Sequence, residues 1–181
     1  MKELALHVLD IVNNSDSANA KNISIEITEN TTEDRLTIEI SDDGSGMDAD
    51  TVSRITDPFV TSRTTRRVGL GIPLLKAAAE ACNGGFSIQS KLGVGTRVKV
   101  DFQLSHIDRM PMGDLAGTML GLVTGCPEIH WKLDYRVDEN EFHFDDEPLK
   151  RELGMDSLSE PLVISYLRGV LKDGIEDLHK Q

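Results

Sequence analysis

Two short segments in which every second residue is apolar constrain the fold of this chain most strongly. The apolar residues are Ile23, Ile25 and Ile27 in the first segment and Leu36, Ile38 and Ile40 in the second. A period of two places such side chains on one face of a β-strand. The polar stretch 30–34 between the segments is typical of a hairpin connection. The sequence therefore predicts two neighbouring strands of a sheet that has one buried face.

Helices and further strands are predicted on both sides of this hairpin. Apolar residues with helical spacing, or a capping residue such as Asp48, mark the helices. The predicted helices span 3–18, 48–55 and 69–82, and the further strands span 86–89 and 97–104. Residues 57–68 have no periodicity and are predicted to form a loop. This order predicts an α+β fold, a two-layer sandwich in which helices cover one face of a mixed, mainly antiparallel sheet.

The pattern changes after residue 104. The segment 108–113 interrupts it, so we place a domain boundary there and expect domains at 1–107 and 111–181. The second part is predicted to contain a helix over 114–124, a hairpin around 138–140, and helices near 147–153 and 160–178. Two interpretations of this part stay open. It is either a small α+β C-terminal domain that binds a partner, or a segment that replaces missing elements of the first sheet.

Charge and composition exclude several classes of protein. A formal net charge of −12 disfavours nucleic acid as a partner, because binding to a polyanion requires clustered Lys and Arg. Cys82 and Cys126 have neither disulfide nor metal-site spacing, and no apolar run is long enough to span a bilayer. We therefore expect a soluble cytoplasmic protein without a membrane partner. The basic cluster of Arg63, Arg66 and Arg67 is either a local anion site or an ordinary solvated charge cluster.

Four short motifs follow one another between residues 10 and 96. Asp10 and Asn14 are four residues apart on the first helix, so their oxygen-bearing side chains share one helix face. The segment 42–47 follows a strand, and its glycines permit a sharp turn beside the Asp42 carboxylate. The segment 69–72 opens a helix, and free amides at a helix N-terminus attract phosphate. The last motif, 93–96, is a glycine turn. Each motif alone also fits an ordinary structural role.

In this order the motifs resemble those of the GHKL superfamily, the histidine kinase-like ATPases with the Bergerat-type fold, and the resemblance covers residues 1–104. It implies ATP and Mg²⁺ as cofactors, with Asn14 as the metal ligand, Asp42 at the adenine amino group and Thr96 supporting the adenine through water. Residues 59–68 would form a lid over the nucleotide. The nucleotide-binding residues implied in this way are Asn14, Asp42, Gly44, Gly46, Met47, Arg63, Arg66, Arg67, Gly69, Leu70, Gly71 and Thr96.

The chain departs from the superfamily pattern at two points. ATPase branches have a Glu four residues before the metal-binding Asn, whereas this chain has Asp10, whose carboxylate is one methylene shorter. The resemblance implies Asp10 as the catalytic base, with slow hydrolysis if its reach is too short. The chain also begins at the helix of Asp10 and Asn14, so we expect no preceding dimerising domain with a phosphoacceptor histidine. His7 is predicted to be a partly buried helix residue.

The leading functional hypothesis is a stand-alone ATP- and Mg²⁺-binding regulatory protein, similar to the anti-sigma factor and histidine kinase branch. Nucleotide would gate its binding to a protein partner, such as a transcription or signalling factor, which it could also phosphorylate. The alternative is a slow ATPase that uses Asp10 as general base. A scaffold with a vestigial site is disfavoured by the intact Asn14 and Asp42. A homodimer stays open.

Overall fold

The computed structural model describes residues 3–56 and 71–180. Its elements, in chain order, are α1 (Leu4–Ser17), β1 (Asn22–Asn30), β2 (Arg35–Asp42), α2 (Ala49–Thr56), α3 (Gly71–Ala81), β3 (Gly85–Lys91), β4 (Gly95–Gln103), α4 (Leu115–Gly125), β5 (His130–Val137), β6 (Asn140–Asp145), α5 (Asp146–Leu153) and α6 (Pro161–Asp177). The expected lid at 59–68, with Arg63, Arg66 and Arg67, lies outside the described residues, as do Gly69 and Leu70.

The strands form one six-stranded sheet in the order β3-β4-β2-β1-β5-β6. Neighbouring strands are antiparallel except β1 and β5, which run parallel. The alternating apolar residues share one buried face: Ile25 and Ile40 oppose each other across β1 and β2, and each is at most 1% exposed. The predicted α+β fold with a mixed, mainly antiparallel sheet is confirmed.

Helices cover the apolar face of this sheet. A hydrophobic core of described residues joins the strands to side chains of α1, α3, α4 and α6, including Val8, Leu75, Met119 and Leu167. The opposite face carries polar side chains such as Glu26, which is exposed. The structure is therefore the predicted two-layer sandwich. Among the described helices, none combines the length and apolarity needed to cross a bilayer.

The C-terminal part contributes strands to the same sheet. Strand β5 pairs in parallel with β1, where Leu133 lies opposite Ile25, and β6 pairs with β5 through the hairpin predicted around 138–140. Trp131 and Tyr135 lie on the buried face of β5 and are at most 1% exposed. Of the two interpretations left open by the sequence, the observed topology matches the one in which this part supplies sheet elements.

The connection between the two parts packs against the N-terminus of α1. Glu3 precedes this helix without a side-chain cap. Instead, the backbone N–H groups of Leu4 and Ala5 donate to the carbonyl oxygens of Pro111 (3.0 Å) and Met112 (2.8 Å). The first amides of a helix have no partner within the helix, so these carbonyls satisfy donors that would otherwise be unpaired. The segment placed at the predicted boundary thus caps a helix of the first part.

Candidate nucleotide-binding site

The carboxylate at the end of β2 is held by donors from α1, from β4 and from the loop that follows β2. Oδ2 of Asp42 accepts a hydrogen bond from the Ser15 hydroxyl of α1 at 2.6 Å. Oδ1 accepts from the backbone N–H groups of Gly44 at 2.9 Å and Thr96 at 3.2 Å. Because all three groups donate hydrogen bonds to the carboxylate, they fix its direction. Asp42 is thereby an oriented acceptor at the junction of α1, β2 and β4.

A small cavity of about 110 Å³ opens beside Asp42. Its walls are largely apolar, with Ile11, Ile72, Ile88 and Val98 among them. The complete lining is Ile11, Asn14, Ser15, Ala18, Asp42, Ser45, Gly46, Met47, Ile72, Ile88, Thr96 and Val98. Apolar walls with a few fixed polar groups are typical of small-molecule sites. The arrangement suits a flat heteroaromatic ring that donates one hydrogen bond to a carboxylate.

The glycines of the loop after β2 let it pack tightly against the protein. Gly46 has a positive φ of 65°, and a Cβ there would overlap the carbonyl of Lys91. A Cβ at Gly44 would come within 2.9 Å of the Ala18 side chain. Larger residues would therefore push the loop away from α1 and β3. The close approach that glycine permits here is to neighbouring backbone and side chains, and it fixes the position of Asp42.

Two serines that the sequence analysis did not single out support the site. Ser15 is 3% exposed and holds Asp42. Ser90 of β3 accepts from the Met47 N–H at 2.8 Å, and its hydroxyl lies 2.8 Å from Thr96 Oγ1. The only sequence signal for Ser15 is its position four residues after Ile11, on the buried face of α1, where a polar residue requires a partner. Ser90 carries no comparable signal.

Of the remaining described residues of the predicted site, Asn14 lies at the cavity, whereas Asp10 and Gly71 lie beside each other. Asp10 is half-buried on α1, and Asn14 is exposed one turn later at the cavity. Gly71 is the first residue of α3, and a Cβ there would overlap the Asp10 carboxylate. The structure thus places Asn14, Asp42, Gly46, Met47 and Thr96 on one cavity. It places Asp10 at the start of α3, and Gly44 against Ala18.

The sequence of residues 2–106 matches the family model described as histidine kinase-, DNA gyrase B- and HSP90-like ATPase. The chain belongs to this family. The resemblance to the GHKL superfamily is confirmed, and with it an ATPase domain of the type that binds ATP. Asp42, its three donors Ser15, Gly44 and Thr96, and the adjoining cavity all lie within the matched residues.

Similar proteins include bacterial sensor proteins. A putative sensor protein of Shewanella frigidimarina is 39% identical over 72 residues, which cover 39% of this chain and 11% of that protein. Sensor histidine kinase YxdK of Bacillus subtilis is 34% identical over 74 residues, which cover 39% of this chain and 23% of that protein. The chain thus spans between 11% and 23% of the length of these two relatives. The similarity concerns one part of each.

Solved structures show the same fold. The ATPase domain of Aquifex aeolicus MutL, solved with ADP, superposes with a TM-score of 0.58 at 13% identity. The match covers 86% of this chain and 70% of that domain. Coverage of 86% exceeds what residues 2–106 alone provide, so it includes part of the C-terminal segment.

Proposed function

We propose that this protein binds ATP together with Mg²⁺ in the cavity at the end of β2, and that the bound nucleotide controls its association with a protein partner. The observation that carries the proposal is the oriented Asp42 carboxylate, which accepts from Ser15, Gly44 and Thr96 at 2.6–3.2 Å. Membership of the ATPase family supports the same choice of ligand.

Asp42 would select adenine because its carboxylate can accept hydrogen bonds but cannot donate them. Its two oxygens accept from three donors, which hold the carboxylate in one orientation. An adenine amino group can donate to such an acceptor, whereas guanine presents a carbonyl oxygen at the equivalent position. Two acceptors that face each other without a proton repel, and the desolvated polar groups remain unpaired. Ile11, Ile72 and Ile88 would contact the ring.

Mg²⁺ would be held by the Asn14 side chain, since Mg²⁺ prefers oxygen ligands and keeps several of its waters. Asn14 fits this role because its side chain is exposed at the cavity and carries an amide oxygen. When bound, the ion would neutralise charge on the phosphates. The lid residues Arg63, Arg66 and Arg67 are proposed as further phosphate partners, since guanidinium groups bind phosphate oxygens in pairs.

Two reactions are compatible with this site. Transfer of phosphate to a protein partner is supported by the similarity to sensor histidine kinases. Slow hydrolysis with Asp10 as general base is the second candidate, and it is favoured by the position of that carboxylate beside Gly71 at the start of α3. In either reaction Asp10 would accept the proton of the attacking group, which is a Ser or Thr hydroxyl or a His imidazole in phosphotransfer and a water in hydrolysis.

The proposal is tested by calorimetric titration with ATP and GTP, with and without Mg²⁺. We expect ATP to bind more tightly than GTP, and Asp42→Asn to weaken ATP binding by about 1.5–3 kcal/mol, the range for a hydrogen bond to a charged group. Asp134→Asn is the matched control, because that carboxylate lies on the open face of β5. Equal affinities for ATP and GTP would contradict the role of Asp42.

Control of a partner is tested by co-purification from cell extract. The native protein should retain a partner in an ATP-dependent manner, and Asp42→Asn should lose that dependence while remaining folded. Retention of the same proteins with and without ATP would contradict nucleotide-gated binding. Adding the identified partner to the ATP-bound protein then distinguishes transfer of phosphate from release of free phosphate.

A further inference from the structure

A chain of polar contacts connects the C-terminal strands to the loop that follows β2. Oδ1 of Asp43, in this loop, accepts from the backbone N–H groups of Lys21 at 2.7 Å and Asn22 at 2.9 Å. The Asn22 side-chain amide donates to Asp43 Oδ2 at 2.6 Å. Oδ1 of Asn22 lies 3.0 Å from His130 Nδ1, and His130 Nε2 lies 2.8 Å from Asp145 Oδ1. Side chains therefore link this loop through β1 to the β5–β6 hairpin.

The orientation of Asn22 determines which nitrogens of His130 carry protons. Because the Asp43 carboxylate can only accept, Asn22 turns its nitrogen towards Asp43 and its oxygen towards His130. His130 Nδ1 must then donate. Nε2 must also donate, because Asp145 can only accept. The network is complete when the imidazole is protonated on both nitrogens, and loss of either proton sets two acceptors against each other.

Charged groups from the surrounding elements face this histidine. Besides Asp145 of β6, Asp146 Oδ1 lies 4.0 Å and Glu147 Oε2 lies 3.7 Å from His130 Nε2, both on α5. Asp43 is the charged group on the side of β1 and β2. The three carboxylates of β6 and α5 have cations of their own: Lys132 at 3.7 Å from Asp145, Lys150 at 2.7 Å from Asp146, and Arg151 at 3.5 Å from Glu147. The cluster therefore needs no metal ion for neutralisation.

We propose that His130 is a positioning residue for the nucleotide site. As an imidazolium it holds Asn22, which holds Asp43, and this fixes the loop that directly follows Asp42. This inference rests on the proposed binding of ATP at Asp42. Backbone contacts support the same path, since the His130 N–H donates to the Lys21 carbonyl at 2.8 Å. ATP should consequently bind more tightly when His130 is protonated.

The test compares the native protein with His130→Gln, which keeps an amide of similar reach but has no titrating proton. ATP affinity at constant Mg²⁺ is measured for both between about pH 5 and 8, the range in which imidazoles titrate. At the acidic end of this range we expect the native protein to bind ATP about two- to tenfold more tightly than His130→Gln does, which is the effect of about one hydrogen bond. The advantage should shrink as the pH rises. Using the ratio of the two affinities cancels the titration of the nucleotide itself.

The matched control is His143→Gln. His143 is also paired with a carboxylate in the β5–β6 hairpin, but its partner is Asp134 on the open face of the sheet. Its affinity ratio to the native protein should stay constant with pH. Asn22→Ala breaks the same path from the other side and should behave like His130→Gln. A native-to-His130→Gln ratio that does not change with pH overturns the inference.

A second measurement works without nucleotide. Hydrogen exchange at a single pH near 6 should be faster at the Lys21 and Asn22 amides in His130→Gln than in the native protein or in His143→Gln, because both amides donate to Asp43. If exchange is faster in His130→Gln but the native protein binds no ATP, the proposed function is rejected, while His130 still anchors the loop through Asn22 and Asp43. Unchanged exchange together with ordinary ATP binding would reject the role of His130 alone. Thermal unfolding verifies that each variant is folded.

Discussion

A buried serine sets the direction of the Asp42 carboxylate. Ser15 is 3% exposed, and its hydroxyl donates to Asp42 Oδ2 at 2.6 Å while the Asp42 Oδ1 atom is held by backbone amides. Hydrogen bonds to charged groups contribute more than neutral ones, and they weaken steeply with poor geometry. The acceptor strength of Asp42 therefore depends on a residue that belongs to none of the four sequence motifs.

Ser15→Ala should weaken ATP binding by about 1–2 kcal/mol, because Asp42 loses one of its three donors and gains freedom to rotate. Affinity is measured by calorimetric titration. Ser17→Ala is the control: Ser17 lies on the same helix, is exposed, and donates to the Asn13 carbonyl of its own helix at 2.8 Å. If both changes weakened ATP binding equally, the loss of affinity would come from α1 as a whole and not from the hydrogen bond between Ser15 and Asp42.

His7 makes the stability of the fold sensitive to acid. It is 3% exposed, as the sequence predicted for a helix residue on a partly buried face, and within the described structure its Nδ1 has no hydrogen-bond partner. Burial lowers the pKa of His7 below its usual range, and the Asp10 carboxylate only partly opposes this. The unfolded chain therefore binds a proton at a higher pH than the folded chain, so stability falls as the pH drops below about 6.5.

His7→Leu should remove this part of the pH dependence, because leucine fills the site without a titrating group. The free energy of unfolding from urea titrations should fall more steeply for the native protein than for the variant below about pH 6.5, by up to about 1.4 kcal/mol per pH unit. Leu6→Ala on the same helix provides the control, because it removes no titrating group and should leave the slope unchanged. Identical slopes for native protein and His7→Leu would contradict the assignment.

At the point where α1 and α3 meet, Gly71 of α3 lies beside the Asp10 carboxylate of α1. Replacing a helical glycine by alanine normally stabilises a protein by up to about 1 kcal/mol. At Gly71 the added methyl group would overlap the Asp10 carboxylate, which would have to rotate away. The steric conflict should therefore reverse the usual sign.

Gly71→Ala should lower the free energy of unfolding by about 1 kcal/mol in the native background and by close to zero in the Asp10→Ala background, where the conflict is relieved. Gly121→Ala on α4 is the control with the opposite sign, since a Cβ there has nothing within 4 Å. Urea denaturation of the native protein, the two single variants and the double variant gives the coupling energy between positions 10 and 71. A coupling near zero would show that Asp10 does not rest against α3.

The sequence predicted some elements well because their signals are local. Alternating isoleucines define which face of β1 and β2 is buried, and glycine-containing motifs mark the turns beside Asp42 and Thr96. Alternation does not define which strand lies next to which. The parallel pairing of β1 with β5 joins residues more than a hundred positions apart, such as Ile25 and Leu133. For the same reason the sequence does not identify the partners of Ser15 and Ser90, which come from other parts of the fold.

One sheet and one core join the nucleotide site to the C-terminal strands. The core includes Ile25 and Leu133 from adjacent strands as well as helices from both parts of the chain. The β1 edge would be unpaired if β5 separated from it, and exposed strand edges and apolar faces are costly. We therefore expect the two parts to unfold together as one cooperative unit.

The single tryptophan allows a direct test of this expectation. Trp131 lies on β5, is 0% exposed, and donates its indole N–H to the Cys126 carbonyl at 3.1 Å, so its fluorescence reports unfolding of the C-terminal part.

Saturating ATP at about 100 times its dissociation constant should raise the free energy of unfolding by about 2.7 kcal/mol. If the sheet unfolds as one unit, ATP shifts the fluorescence midpoint in urea by as much as the midpoint from far-ultraviolet circular dichroism. Asp42→Asn is the control, because at the same ATP concentration its weaker binding should reduce both shifts. If ATP moved the dichroism signal and left the Trp131 transition in place, the two parts would be independent domains.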